Sequence, residues 1–183
     1  MTATLSANAV TAWKLDPSHS TVEFSARHMM FTTVKGRFAD VEGTITTDGV
    51  SPESARVNVV MKAESIDTGT EQRDQHLRSA DFLDVANYPD VTFASTSIAG
   101  THDRFSMTGD LTIRGVTHPV TLDVRYEGTG NDPWGNERMG FTASGAIDRR
   151  EFGLTWNQAL EAGGVLVSNE VKIQIDAQII RTA

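Results

Sequence analysis

From Trp13 onward apolar and polar residues alternate with a period of two, the pattern of strands that bury one face and wet the other. Val22, Phe24 and Ala26 share one face, while Thr21, Glu23 and Ser25 share the opposite one. The alternation returns in Val57-Val59-Met61-Ala63, in Val120-Leu122-Val124-Tyr126 and in Val171-Ile173-Ile175-Ala177-Ile179. Val34 to Thr47, Val91 to Ile98, Asp103 to Arg114 and Met139 to Asp148 read as further strands, which brings the count to about eight. Turn residues separate them: Asp48-Gly49 before Ser51-Pro52, Gly100, Gly115 before His118-Pro119, and Gly128 to Gly135. Leu111 and Ile113 lead through Gly115 into Val120 and Leu122, the clearest hairpin in the chain.

One segment departs from the alternation. Glu71 to Ser79 is rich in helix formers and follows Thr68-x-x-Glu71, which reads as a capping box. One or two short helices are therefore expected between residues 67 and 83, ended by Asn87, Pro89 and Asp90. About eight antiparallel strands with one helical insertion fit either a sandwich or a closed barrel, and periodicity does not separate the two. Long strands such as Val34 to Thr47 and Val165 to Ile180 favour a tall barrel, whose eight-stranded form is wide enough to hold one small ligand.

Composition narrows the class. With 183 residues, 39% hydrophobic and 22% charged, the chain fits one domain with little apolar mass to spare. No repeat or linker divides it, so residues 13–183 read as a single domain behind a short disordered leader, residues 1–12. A net charge of −8 disfavours nucleic acid, which is held through clustered Lys and Arg. The absence of cysteine excludes disulfides, thiolate metal sites and a Cys nucleophile. No run approaches the roughly 20 apolar residues of a membrane-spanning helix. Met1 to Ala12 has neither the basic start nor the unbroken apolar run of a secretory signal, so a cytoplasmic location is expected.

The polar residues offer little chemistry. Of the five histidines, His19 and His28 lie nine apart on or near one strand, and no HExxH or HxH spacing occurs, so no metal site is expected. His28 shares the parity of Val22, Phe24 and Ala26, which places it on the inner wall or at a cavity mouth. Arg73 and Asp74 are adjacent on the helical segment and point in different directions, which argues against an acid–base pair. Two roles stay open for that pair of turns: an ion pair tying the helix to the barrel, or Arg73 with His76 meeting the polar head of a ligand at the barrel mouth. Residues 128–135, with Asp132, Asn136 and Glu137 in or beside them, lack the ligand spacing of an EF-hand. They read as a flexible hairpin loop with Pro133 and Trp134 packed on the barrel rim. No GxSxG elbow is present.

Several blocks lie in order along the chain: Trp13-x-Leu15-Asp16-Pro17-x-His19-Ser20-x-x-x-Phe24-x-x-Arg27-His28, Val34-x-Gly36-x-Phe38, and Arg73-Asp74-x-His76-Leu77-x-x-x-Asp81-Phe82. Tyr88-Pro89-x-Val91-x-Phe93-x-Ser95, Gly109-x-Leu111-Thr112-Ile113-Arg114-Gly115-Val116-Thr117 and Arg150-x-Phe152-Gly153-Leu154 follow. In these blocks, spread from Trp13 to Ile179, the sequence resembles the YceI-like family of bacterial polyisoprenoid-binding, lipocalin-like proteins. The resemblance implies an extended antiparallel eight-stranded barrel with a helix near one end. It also implies a long apolar tunnel and a ligand such as a polyprenyl diphosphate or a prenylated quinone. A homodimer is a further expectation of the resemblance.

If the barrel is open inside, Phe24, Ala26, Phe38, Phe93, Leu111, Ile113 and Phe141 line it, and Leu77 and Phe82 join them from the insertion. His28, Arg73 and His76 are the expected polar contacts. The expected function is non-covalent binding of a polyisoprenoid lipid for carriage, storage or sequestration, with no cofactor. Two alternatives stay open. One is an enzyme isomerising or hydrolysing a hydrophobic substrate in the same cavity, with His28 or His76 as acid–base group. The other is a stress-related interaction protein whose barrel is filled by its own side chains.

Overall fold

A computed structural model describes residues 10–182, in which all strands join one antiparallel sheet. The segments are β1 (Thr11–Leu15), β2 (Thr21–His28), β3 (Thr32–Phe38), β4 (Val41–Thr47), β5 (Arg56–Lys62) and β6 (Ile66–Asp67). After the helix α1 (Glu71–Arg78) come β7 (Asp90–Gly100), β8 (Arg104–Ile113), β9 (Val116–Asn131), β10 (Glu137–Asp148) and β11 (Glu170–Arg181).

These segments amount to eight strands, because three strands are interrupted. β1 and β2 are halves of one strand broken by a 3₁₀ turn at Pro17–His19, and they pair with β4 and β3 respectively. β3 and β4 are likewise halves of one strand, parted at Ala39-Asp40. β5 and β6, parted by the 3₁₀ turn Ala63–Ser65, pair with β4 and β3 respectively. The first break follows from local chemistry: Pro17 has no N–H to give the ladder, and Asp16 caps the turn by accepting from the Ser18 N–H at 3.0 Å.

Each strand pairs with its sequence neighbour, and β11 then closes the ring. One edge of β11 pairs with β10, and the other with β2 through Lys172–Asp176 and with β1 through Ile179–Arg181. A sheet whose last strand pairs with its first is a closed up-and-down barrel, which excludes the sandwich. Arg114 and Gly115, with φ of 51° and 72°, form the tight turn of the β8–β9 hairpin, where Ile113 pairs with Val116.

The loops fall at two ends. The start of β1, the end of β11 and the 48–55, 101–103 and 132–136 turns lie at one end. The β2–β3 and β8–β9 turns, α1 with residues 79–89, and the segment 149–169 lie at the other.

Three local expectations need correction. The insertion holds the expected short helix, but the capping box does not form: the N-cap is Thr70, without a side-chain cap bond. The Thr68 hydroxyl and N–H instead donate to Asp74, a buried carboxylate one turn into the helix. Trp134 does not pack on the rim but is 81% exposed. Its turn is nevertheless fixed, because Asp132 accepts from the N–H groups of Trp134 and Asn136 and from the Arg138 guanidinium. Most of the expected leader lies outside the described residues, but Thr11 and Ala12 belong to β1, paired with Thr47 and Thr46. Among the described residues no helix is long and apolar enough to cross a membrane.

Candidate ligand cavity

The inward faces of the strands do not meet. They enclose a cavity of about 440 Å³ that runs between the two ends and has an almost wholly apolar wall. That volume lies within the range of roughly 300–1,000 Å³ of small-molecule sites. Aliphatic side chains supply most of the wall, among them Ile45, Val59, Val120, Leu122, Ile173 and Ile175.

Aromatic residues leave room because glycines face them. A Cβ built on Gly36, the β3 partner of Phe24, would stand 2.4 Å from Phe24 Cζ, and one on Gly109 would stand 2.3 Å from Phe93 Cζ. Both rings therefore occupy side-chain space on the neighbouring strand instead of crossing the lumen, a close approach that only glycine permits.

The ends differ. Gly49, Val50, Ser51 and His102 line the cavity where the 48–55 and 101–103 turns lie, and Val50 is 70% exposed, so the cavity meets solvent there. At the other end Phe82, Leu83 and Leu154 line it and are buried. These residues, from the segments after α1 and after β10, form a cap.

Phe24, Ala26, Phe38, Leu77, Phe82, Phe93, Leu111, Ile113 and Phe141 all line the cavity. His28, Arg73 and His76 do not, and the physical reasons are visible. His28 ends β2 in a bridge to Val167, just where the strand leaves the wall. The Arg73 guanidinium donates to the Thr68 carbonyl and to the hydroxyls of Thr68 and Thr70, so it fastens α1 to the preceding loop. His76 lies behind the wall: its ring meets those of Trp156 and Phe82 edge-on at 4.6 and 5.1 Å, and its Nε2 sits 2.8 Å from Asp81.

The charged group at the capped end is Arg149, which lines the cavity, is 3% exposed and escaped sequence reasoning. Its guanidinium donates to the carbonyls of Leu154, Trp156 and Ser168 at 2.6–2.9 Å, so it holds the cap segment to the barrel. Burial pushes its pKa down from the usual arginine value. The one available signal was its place beside the Arg150-x-Phe152-Gly153-Leu154 block.

At the open end Asp16 is 8% exposed and binds Arg138 at 2.6 Å, while Arg138 also donates to Asp132 and Gln178. Burial pushes the Asp16 carboxyl up, but hydrogen bonds from Ser18, Arg138 and His19 outweigh it and hold the group well below the usual carboxylate range. Asp16, Ser18 and His19 together contain the residue types of a hydrolase triad. Their geometry differs: Asp16 Oδ2 and Ser18 Oγ both approach His19 Nδ1, at 2.8 and 3.0 Å. A relay needs serine and carboxylate on opposite ring nitrogens. This cluster is a turn cap, and none of the three residues lines the cavity. Among the described residues no group of three or more His, Asp or Glu side chains could hold a metal ion.

The profile of the YceI-like domain matches residues 13–179. The chain belongs to the YceI-like family. Protein YceI of Escherichia coli O157:H7 is 44% identical over 144 residues, covering 78% of this chain and 75% of the relative. The crystal structure of Campylobacter jejuni YceI superposes with a TM-score of 0.74 at 30% identity, over 86% of this chain and 90% of that one. A domain from Saccharophagus degradans, described as polyisoprenoid-binding and implicated in plant cell wall breakdown, shares the fold with a TM-score of 0.65 at 16% identity. That likeness covers 94% of this chain and 99% of that one. The closed barrel is thus the common frame of this YceI-like chain and its relatives.

Proposed function

We propose that the protein binds one long-chain polyisoprenoid lipid inside the barrel, for carriage, storage or sequestration, without covalent chemistry. The observation that carries this is the continuous, almost wholly apolar cavity kept open by the Phe24–Gly36 and Phe93–Gly109 arrangements. An aliphatic tail gains about 0.8 kcal/mol per CH₂ buried, before ordering losses, so such a wall suffices for a long tail with few polar contacts. Membership of the YceI-like family and the fold shared with a polyisoprenoid-binding domain support the same ligand class. A lumen that the strands' own side chains leave open disfavours a barrel packed with them. The enzyme alternative gains no support from His28 and His76, which stand away from the lumen.

The test is organic extraction of the purified protein followed by mass spectrometry, with binding of added prenyl compounds to the stripped protein. A prenyl lipid in stoichiometric amount is the expected result. Reproducible absence of such a lipid, together with no binding of added prenyl alcohols, diphosphates or quinones, overturns the proposal.

A further inference from the structure

The hairpin between β2 and β3 ends in Met29, Met30 and Phe31, which are 37%, 55% and 77% exposed. Three adjacent apolar side chains held in water at a loop tip are unusual, since contiguous exposed apolar surface commonly marks a contact site. Met29 and Met30 both adopt the left-handed region, with φ of 50° and 63°. Such turn positions ordinarily carry Asn or Gly, so methionine at both brings no local advantage.

The tip is also held in place. The Arg27 guanidinium donates to the carbonyls of Met30 and Phe31 and to the Thr33 hydroxyl, at 3.0–3.1 Å. The Met29 N–H donates to the Leu166 carbonyl at 2.8 Å, which ties the tip to the cap segment.

Behind the tip the outer face is cationic, although the chain carries a net charge of −8. Residues 24–39 include Arg27, Lys35 and Arg37 and no Asp or Glu. Ser25 pairs with Lys35 on one side and with Lys172 on the other, so two exposed lysines flank it in one row across three strands. Arg37 meets Asp67 at 3.5 Å, while Arg27, Lys35 and Lys172 have no carboxylate partner among the described residues. Exposed Glu170, two residues before Lys172 on β11, shares this face at the cap side, whereas on β2 and β3 the first acid is Glu23, a row farther from the tip and opposite Arg37. The adjoining segment 153–169 contains one acid, Glu161.

We propose that this hairpin docks the protein on an anionic lipid bilayer, with Met29, Met30 and Phe31 entering the boundary between headgroups and acyl chains. Arg27, Lys35 and Lys172 then lie at headgroup level. Apolar side chains backed by cations are the combination that interfacial binding uses. Val10, Val50 and Trp134, the exposed apolar residues at the other end, come from three separate segments, with acids such as Asp48, Glu53 and Glu137 in or beside the turns of Val50 and Trp134. Docking is independent of the cargo and is measured on lipid-stripped protein, so its failure and that of the isoprenoid proposal are separately visible.

The experiment is co-flotation with vesicles of phosphatidylcholine containing about a third phosphatidylglycerol, against phosphatidylcholine alone, at low and high salt. Wild-type protein floats with the anionic vesicles, and salt weakens the association. The double variant Met30→Ser/Phe31→Ser lowers the partition coefficient by roughly tenfold or more. Lys35→Gln and Lys172→Gln each lower it about fivefold, on anionic vesicles only. Trp134→Ser leaves it unchanged, and circular dichroism establishes that each variant is folded. Absence of flotation, equal flotation of the tip variant, or loss through Trp134→Ser instead overturns the proposal. So does a dimer in sedimentation velocity that the tip variant dissociates while vesicle binding is unaltered, because the tip then serves a second copy of the chain.

Discussion

Phe24 of β2 occupies the space where a side chain on Gly36 of β3 would stand, the two residues being direct cross-strand partners. A Cβ at position 36 would also come within 2.8 Å of Thr68 Cγ2, so the ring has no room to retreat along the wall. Gly36→Ala is therefore expected to turn Phe24 into the lumen, at a cost of about 1–3 kcal/mol for overpacking. Urea unfolding measures that cost. Adding Phe24→Leu recovers part of it, whereas additive losses in the double variant would show that the ring and the glycine do not interact.

Ala143 lines the cavity and is 7% exposed, which makes it a position from which to fill the void. Ala143→Phe is expected to lower lipid occupancy at least tenfold while stability changes by less than about 1 kcal/mol, since the added ring enters empty space. Extracted lipid per mole of protein and the urea midpoint, taken on the same preparation, check both halves. A large loss of stability with occupancy unchanged would contradict the open lumen.

Arg149 bonds only to backbone carbonyls of the cap, so its shape matters as much as its charge. Arg149→Met leaves buried carbonyls without donors and is expected to cost at least about 2 kcal/mol. Arg149→Lys does not restore the loss, because one ammonium cannot span carbonyls that the guanidinium fork reaches together. Hydrogen exchange over residues 153–168 reports the loosening, and protection equal to wild type in either variant would refute it.

The Asp16–Arg138 contact makes stability at the open end depend on pH. The folded Asp16 carboxyl is held below its usual range, whereas the unfolded value is about 3.9. Its stabilisation is therefore complete above about pH 4 and is lost as the pH falls toward the folded value. Asp16→Asn is expected to cost about 1.5–3 kcal/mol near pH 7, with the gap to wild type shrinking between about pH 4 and pH 2. Denaturation curves across that window decide it, and a gap independent of pH would assign the cost to something other than the charge.

The strands were legible because alternation is a local record of which face is dry, and it correctly marked Phe24, Phe38, Phe93, Leu111, Ile113 and Phe141 as inward-facing. The Arg114-Gly115 turn was legible for the same reason, being set by backbone geometry within a few residues. The breaks were harder to see: Val34 to Thr47 reads as one strand, yet it parts at Ala39-Asp40, where the Ala39 N–H turns away to the Ser65 carbonyl. Polar roles were less legible still. His76 and Arg73 have the chemistry to meet a ligand head, but Asp81, Thr68 and Thr70 claim their donors first.

By itself, then, the sequence determined an all-β chain with one helical insertion, the inner face of each strand and membership of the YceI-like family. Tertiary structure decided that the sheet closes, because closure depends on β11 meeting both β1 and β2 across nearly the whole chain. It also decided that the protein's own side chains leave the lumen open, since the space that Gly36 and Gly109 give to Phe24 and Phe93 is measured only once their neighbouring strands are in register. Period-two alternation reports which side of a strand avoids water. It carries no record of whether another side chain or a void waits there.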